Sequence, residues 1–110
     1  MAAVVQELID LLSDDVYGLW EVDWWFNSHH PQKDTEERVS YLLAAVRKGW
    51  VDVYFGRMGQ HLDALPPEVA EARIKNWDNW RPRSDAEQHV HHVMTSIVGM
   101  EARAAHWRKG

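Results

Sequence analysis

The sequence predicts a mainly α-helical fold with a small antiparallel β-sheet, an α+β class, and two stretches support this prediction. An amphipathic helix over residues 34–48 passes through Gly49 directly into an alternating strand at residues 50–55. A second alternating segment, residues 89–95, leads straight into a final helix. The 110 residues suffice for one hydrophobic core. We therefore expect residues 1–110 to form a single domain.

The helix before the first of these strands carries its own start and stop signals. Asp34 is a suitable N-cap with Glu37 three positions later, and Gly49 suits the left-handed conformation that ends many helices. The apolar positions at helical spacing are Val39, Leu42, Leu43 and Val46. In the strand that follows, the expected buried side consists of Val51, Val53 and Phe55.

Helical patterns also occupy the rest of the chain. Residues 5–12 form a first amphipathic helix, and residues 18–27 form a second behind a short extended piece at residues 16–17. Pro66 and Pro67 suit the first turn of a fourth helix, which is expected to continue through Trp77. The last helix, from Ser96, has an apolar face of Ile97, Met100, Ala104 and Trp107.

Composition narrows the class of protein. Hydrophobic residues make up 45% of the chain and charged residues 26%, which is ordinary for a globular domain, but seven tryptophans are unusual. There is no cysteine and no long apolar run, so we expect a cytoplasmic protein that neither forms disulfides nor spans a membrane.

Charge is distributed unevenly along the sequence. The net charge is -5, and residues 1–32 contain no Lys or Arg. Residues 73–83 reverse this balance, because they contain four basic residues and only one acidic residue, an Asp. The acids of the N-terminal third are Glu7, Asp10, Asp14, Asp15, Glu21 and Asp23. This end of the chain is expected to repel a phosphate backbone.

Two local patterns resemble a known family. The passage from Arg38 through Gly49-Trp50-Val51 is similar to the step from recognition helix to wing in winged helix-turn-helix domains. Residues 93–102, VMTSIVGMEA, resemble the "hydrophobic-x-Thr-x-x-x-Gly-x-x-Ala" ending of MarR and PadR type regulators. The resemblance implies a winged-helix-like domain with a helix inserted in the wing. About thirty residues separate the two strands, where family members usually have a short hairpin.

The resemblance also implies a DNA-binding helix at residues 35–48. Glu36 and Glu37 oppose this role, because carboxylates at the tip of that helix repel phosphates. The DNA-binding candidates on this helix, on the wing and on the fourth helix are Arg38, Ser40, Tyr41, Arg47, Lys48, Arg57, Arg73 and Lys75. A DNA-binding transcriptional regulator is therefore the alternative hypothesis.

The tryptophans favour a protein-interaction module instead. Tryptophan and arginine supply much of the binding energy at protein interfaces. Trp20, Trp50 and Trp107 fall within apolar patterns and are assigned to the core. The interaction candidates are Trp25, Trp77, Trp80, Arg81 and Arg83. The expected partner is another protein or a second copy of this chain.

No motif indicates catalysis, a cofactor or a metal site. The chain lacks a nucleophile elbow, a P-loop, an HExxH sequence and any cysteine pair, so we expect a non-enzymatic protein without cofactor, metal or small-molecule substrate. Five histidines lie in a loop and in the second strand: His29, His30, His89, His91 and His92. We expect those of the strand to be solvated, and a metal site or a pH sensor built from these histidines is the alternative.

Overall fold

The structure, a computed structural model, describes residues 3–56, 62–81 and 90–109, with main chain alone at 90 and 106–109. This part of the chain contains five α-helices and a three-stranded sheet. This confirms the predicted class, mainly α with a small antiparallel sheet. In chain order the elements are α1 (Ala3–Asp14), β1 (Tyr17–Gly18), α2 (Leu19–His29), α3 (Thr35–Arg47), β2 (Val51–Gly56), α4 (Pro67–Lys75), a 3-10 helix (Trp77–Trp80), β3 (Val90–Thr95) and α5 (Ile97–Lys109).

β3 is the central strand of the sheet, whose spatial order is β1-β3-β2. Both neighbours run antiparallel to it, and Val93 lies opposite Tyr17 on one side and Val53 on the other. β2 and β3 are adjacent in space although α4 and the 3-10 helix lie between them in sequence. The chain therefore leaves the sheet after β2, adds two helical segments and returns.

One face of the sheet packs against the helices. Val51, Val53 and Val93 are buried on that face, and the Thr95 hydroxyl donates a 3.0 Å hydrogen bond to the carbonyl oxygen of Ile9 in α1. Because Thr95 is itself buried, this bond satisfies a polar group that water does not reach. The other fully buried apolar side chains of the core include Leu8, Leu12, Leu19, Val22, Phe26, Leu42 and Ile74.

The passage from α3 to β2 agrees with the sequence prediction. The Asp34 carboxylate accepts the backbone N–H of Glu37 at 2.9 Å, as expected of an N-cap. At the other end Gly49 has a φ of 74°, and the N–H of Trp50 donates to the carbonyl of Ala45 at 2.9 Å. A glycine adopts this left-handed conformation without steric cost, which lets the strand begin at Val51.

Two predictions are wrong, one about the end of a helix and one about the buried face of a strand. α4 ends at Lys75 instead of continuing through Trp77, because the Asn76 side chain accepts the N–H of Asp78 at 3.2 Å and starts a separate 3-10 helix. Phe55, expected on the buried side of β2, is 41% exposed near the end of that strand. The Arg73 guanidinium, 5.3 Å from the ring centroid, covers Phe55 only in part.

The predicted inner face of α5 is wrong at its start, where Ile97 is 77% exposed and Met100 is also exposed. Gly99 makes the close contact instead. A Cβ atom placed on Gly99 would lie 2.1 Å from the carbonyl oxygen of Trp50. α5 therefore approaches the sheet through a residue without a side chain, and this orientation turns Ile97 towards solvent.

In the described part of the chain, none of the helices has the length and apolar character needed to cross a membrane.

Replacing Gly99 by Ala should destabilise the domain by about 1–3 kcal/mol, the usual cost of overpacking. An exposed helical glycine would behave in the opposite way, because alanine has the higher helix propensity. Urea unfolding monitored by far-UV circular dichroism measures the change. A gain in stability would show that α5 does not pack closely on Trp50.

Candidate functional site

Arg38, the first candidate DNA contact, lies inside the protein and not on the surface of α3. It is only 8% exposed. Its guanidinium donates to the Asp23 carboxylate and the Asn27 side-chain oxygen, both at 2.7 Å, and to the carbonyl of Lys33 at 2.8 Å. The expectation that Arg38 is exposed is therefore wrong, because this cation binds groups on α2 and on the loop before α3.

The remaining α3 candidates form a mixed surface. Ser40 and Lys48 are exposed, whereas Tyr41 is half-buried and its ring stacks on Phe26 with centroids 6.3 Å apart. Arg47 is exposed, but its guanidinium binds the Glu71 carboxylate of α4 at 2.7 Å. Glu36 is also exposed, so carboxylates remain at the N-terminal end of this face.

Carboxylates neutralise cations elsewhere on the described surface as well. Arg73 of α4 donates to the Nε2 atom of His91 at 3.1 Å, and Lys75 is exposed on the same helix. Each pair of a cation with a carboxylate lowers the positive potential that a phosphate backbone would require, whereas the Arg73–His91 contact does not, because an imidazole carries no negative charge. Among the described residues, the ion pairs that involve Lys or Arg are Lys33–Glu37, Arg38–Asp23, Arg47–Glu71, Arg81–Asp78 and Arg103–Asp10.

The interaction candidates at residues 77–81 differ in how far they reach the surface. Trp77 and Trp80 stack with ring centroids 5.0 Å apart, but Trp80 is 2% exposed and its indole N–H donates to the carbonyl of Ile74 at 2.9 Å. Trp77 is half-buried against the core. Arg81 is exposed and pairs with Asp78. Trp80 is therefore a core residue, which corrects its placement among the interaction candidates.

Two binding candidates, one histidine and one core assignment lie beyond what the structure describes. Arg57, Arg83 and His89 fall in the undescribed segments, and the side chain of Trp107 is also outside the described part.

α2 carries a pair of tryptophans, one of them exposed, that is not among the candidates predicted from the sequence. Trp24 is 58% exposed and meets Trp20 edge-to-face, with centroids 4.7 Å apart. Trp20 is half-buried and does not belong to the core to which it was assigned. The spacing in the sequence could have indicated this contact, because side chains four residues apart on a helix are neighbours. Trp20 and Trp24 are also outside the set of buried α2 residues, which is Leu19, Val22 and Phe26.

Trp25 points to a different side of α2, where it borders a groove with α1 and α5. Its indole stacks on the His29 ring, with centroids 5.3 Å apart and planes 23° from parallel. The groove has a volume of about 330 Å³. We call it the acidic groove; its lining consists of Glu7, Asp10, Leu11, Asp14, Trp25, His29 and Arg103.

Two of the three carboxylates that line the acidic groove form ion pairs. Asp10 accepts from Arg103 at 2.6 Å and from the Gln6 amide at 3.0 Å, and Glu7 binds His30 at 2.6 Å. Among the residues that the structure describes, none forms an ion pair with Asp14, which is exposed. The groove therefore offers negative charge beside an aromatic wall.

The histidines of β3 are not solvated as expected, because His91 and His92 are both buried. The Nε2 atom of His92 lies 3.2 Å from the carbonyl oxygen of Gly56, so this nitrogen carries the proton and donates. Beside His92 in the sheet, burial raises the pKa of Tyr54 and also that of Asp52. No three His, Asp or Glu side chains within the described ranges converge to hold a metal ion.

The chain matches no protein-family model, and no curated protein or solved structure is significantly similar to it.

Proposed function

We propose that this chain is a non-enzymatic protein-interaction module on a winged-helix-like scaffold. The order of elements along the chain, α1, β1, α2, α3, β2 and β3, supports the scaffold. In the sheet β3 lies between β1 and β2, and α4 belongs to the connection from β2 to β3. The absence of cysteine supports a cytoplasmic location as part of the same proposal.

The exposed Trp24 is the observation that carries the proposal. A tryptophan that is 58% exposed leaves a large apolar area in water, and burial of such an area against a partner is a common source of binding energy. Trp24 is not needed for the core, because the buried stripe of α2 is complete without it. The edge-to-face contact with Trp20 holds the ring in a defined orientation, which reduces the entropy lost on binding.

DNA binding is the less supported candidate. It would require α3 to present positive charge, but Arg38 is used internally and Arg47 is paired with Glu71. Glu36 remains exposed at the end of α3 that would enter the major groove of DNA. Of the described candidates, Lys48, Arg73 and Lys75 are exposed cations outside these ion pairs, and of the three only Lys48 lies at an end of α3.

Photo-crosslinking tests the interaction module directly. A benzophenone side chain at position 24 should yield a protein adduct of defined mass in cells of the source organism, because Trp24 is expected to lie within the interface. The matched control is the same side chain at Ser40, which is exposed on α3 and should yield none. No adduct at position 24, or a protein adduct only at position 40, would contradict the proposed surface.

Binding to duplex DNA across a salt series tests the alternative. We expect binding weaker than the nonspecific range of DNA-binding proteins, with a Kd above about 100 μM at physiological salt, measured by fluorescence anisotropy. A tight complex whose affinity falls steeply with salt and is weakened by Lys48→Ala would instead establish DNA binding. Arg38 is unsuitable for this test, because its replacement disturbs the α2–α3 contact.

A further inference from the structure

We propose that two copies of this chain associate around a two-fold axis through the exposed start of α5. The contact surface, which we call the α5 surface, has three apolar and two charged side chains: Ile97, Val98, Met100, Lys48 and Glu101. The inference goes beyond the proposed function, because Trp24 lies on α2 and is not part of this surface. It assigns a second interface, between identical chains, to the same domain.

Large apolar side chains are concentrated in water at the start of α5. Ile97 is 77% exposed, Val98 53% and Met100 40%. Among the described residues six large hydrophobic side chains are exposed, and half of them fall within these four positions. Single exposed apolar residues are ordinary on a protein surface, whereas a contiguous group of them marks an interaction surface.

Backbone contacts hold these side chains outward. The N–H of Ser96 donates to the carbonyl of Trp50 at 2.8 Å, and the Ser96 hydroxyl donates to the carbonyl of Gly49. The N–H of Gly99 donates to the Ser96 hydroxyl oxygen at 3.0 Å, and Gly99 packs directly on the Trp50 carbonyl. The first turn of α5 therefore cannot rotate its apolar side chains into the core. A surface fixed in this way loses little conformational entropy on binding.

Two opposite charges lie beside the apolar side chains. Lys48 precedes Gly49, whose carbonyl binds the Ser96 hydroxyl, so this cation is next to the start of α5. Glu101 follows Ile97 by about one helical turn on the same helix. Both charged residues are exposed, and neither forms an ion pair with a residue that the structure describes.

This arrangement of charges is complementary to itself. In a two-fold interface the same surface is used twice, so each contact between two different residues is made twice. Lys48 of one copy would pair with Glu101 of the other, and the apolar side chains would cover one another between these pairs. A partner with one sign of charge would bring a like charge to either Lys48 or Glu101. Charge complementarity therefore selects a second copy of the chain as the occupant.

Sedimentation velocity of the full chain over a concentration series tests this interface. The parent should form a dimer with a Kd in the micromolar range, the weak end for specific interfaces. Ile97→Lys should weaken the dimer at least about tenfold, because it places a cation among the apolar side chains. The matched control is Val69→Lys on α4, where the valine is also exposed but lies outside the α5 surface. It should change the Kd by no more than about threefold, through the long-range field.

Charge reversal tests the two-fold pairing. Lys48→Glu and Glu101→Lys should each weaken the dimer about tenfold, because the axis turns two attractions into two repulsions. The variant with both changes should return to within about threefold of the parent Kd, since each pair forms again with its charges exchanged. Far-UV circular dichroism checks that each variant is folded. If a charge variant is not, Ile97→Lys still decides the outcome, because that side chain is 77% exposed.

A monomer at every concentration up to the millimolar range would overturn the proposal, and so would a dimer that Ile97→Lys leaves unchanged. A double charge variant that is weaker than either single variant would refute the two-fold pairing. A benzophenone side chain at Val98 should crosslink two copies of the chain. An adduct at this position with a different protein alone would assign the α5 surface to that protein and refute the dimer.

The outcome is independent of the crosslinking result at position 24. Trp24→Ala should leave the dimer intact, and its loss in that variant but not in Ile97→Lys would place self-association at Trp24 and refute the α5 surface. A foreign-protein adduct at position 24 combined with a monomeric chain would refute the α5 surface alone. A dimer that depends on Ile97, without an adduct at position 24, would support the α5 surface and reject the Trp24 surface.

Discussion

One buried guanidinium joins the helices on which the rest of the structure depends. Arg38 of α3 binds Asp23 and Asn27 on α2 and also the carbonyl of Lys33 in the loop between these helices. A buried arginine is tolerated only when its donors are satisfied, because the cost of removing a charge from water is several kcal/mol. These contacts therefore fix the angle between α2 and α3, and with it the loop that joins them.

The same contacts determine which surface is available to a partner. Because Arg38 points inward, α3 loses the cation nearest its N-terminal end and keeps the exposed Glu36 there. On α2, Asp23 and Asn27 face α3, which places Trp25 on the side of α1 and leaves Trp24 in solvent. A single internal ion pair thus keeps Arg38 away from the surface of α3 and places Trp24 and Trp25 on two other sides of α2, which is the arrangement that the proposed interaction function uses.

Local signals predicted the helices and strands, but the candidate site depends on contacts between distant residues. The N-cap at Asp34 and the left-handed Gly49 act within one turn, so the sequence was sufficient for them. The partner of Arg38 lies 15 residues away on another helix, and no spacing rule connects them. Trp80 is buried because a 3-10 helix starts after Asn76 and changes the direction in which the Trp80 ring points. The sequence pattern predicted one continuous helix there and so did not predict this burial.

A double-mutant cycle between Arg38 and Asp23 tests the central claim most directly. Arg38→Met, Asp23→Ala and the double variant are unfolded in urea, and the coupling free energy is obtained from the differences. An internal ion pair that joins α2 to α3 predicts a coupling of about 1.5–3 kcal/mol, the upper part of the range for contacting residues. A coupling below about 0.5 kcal/mol, with Arg38→Met as stable as the parent, would show that Arg38 is a surface cation and would return α3 to consideration as a DNA-binding helix.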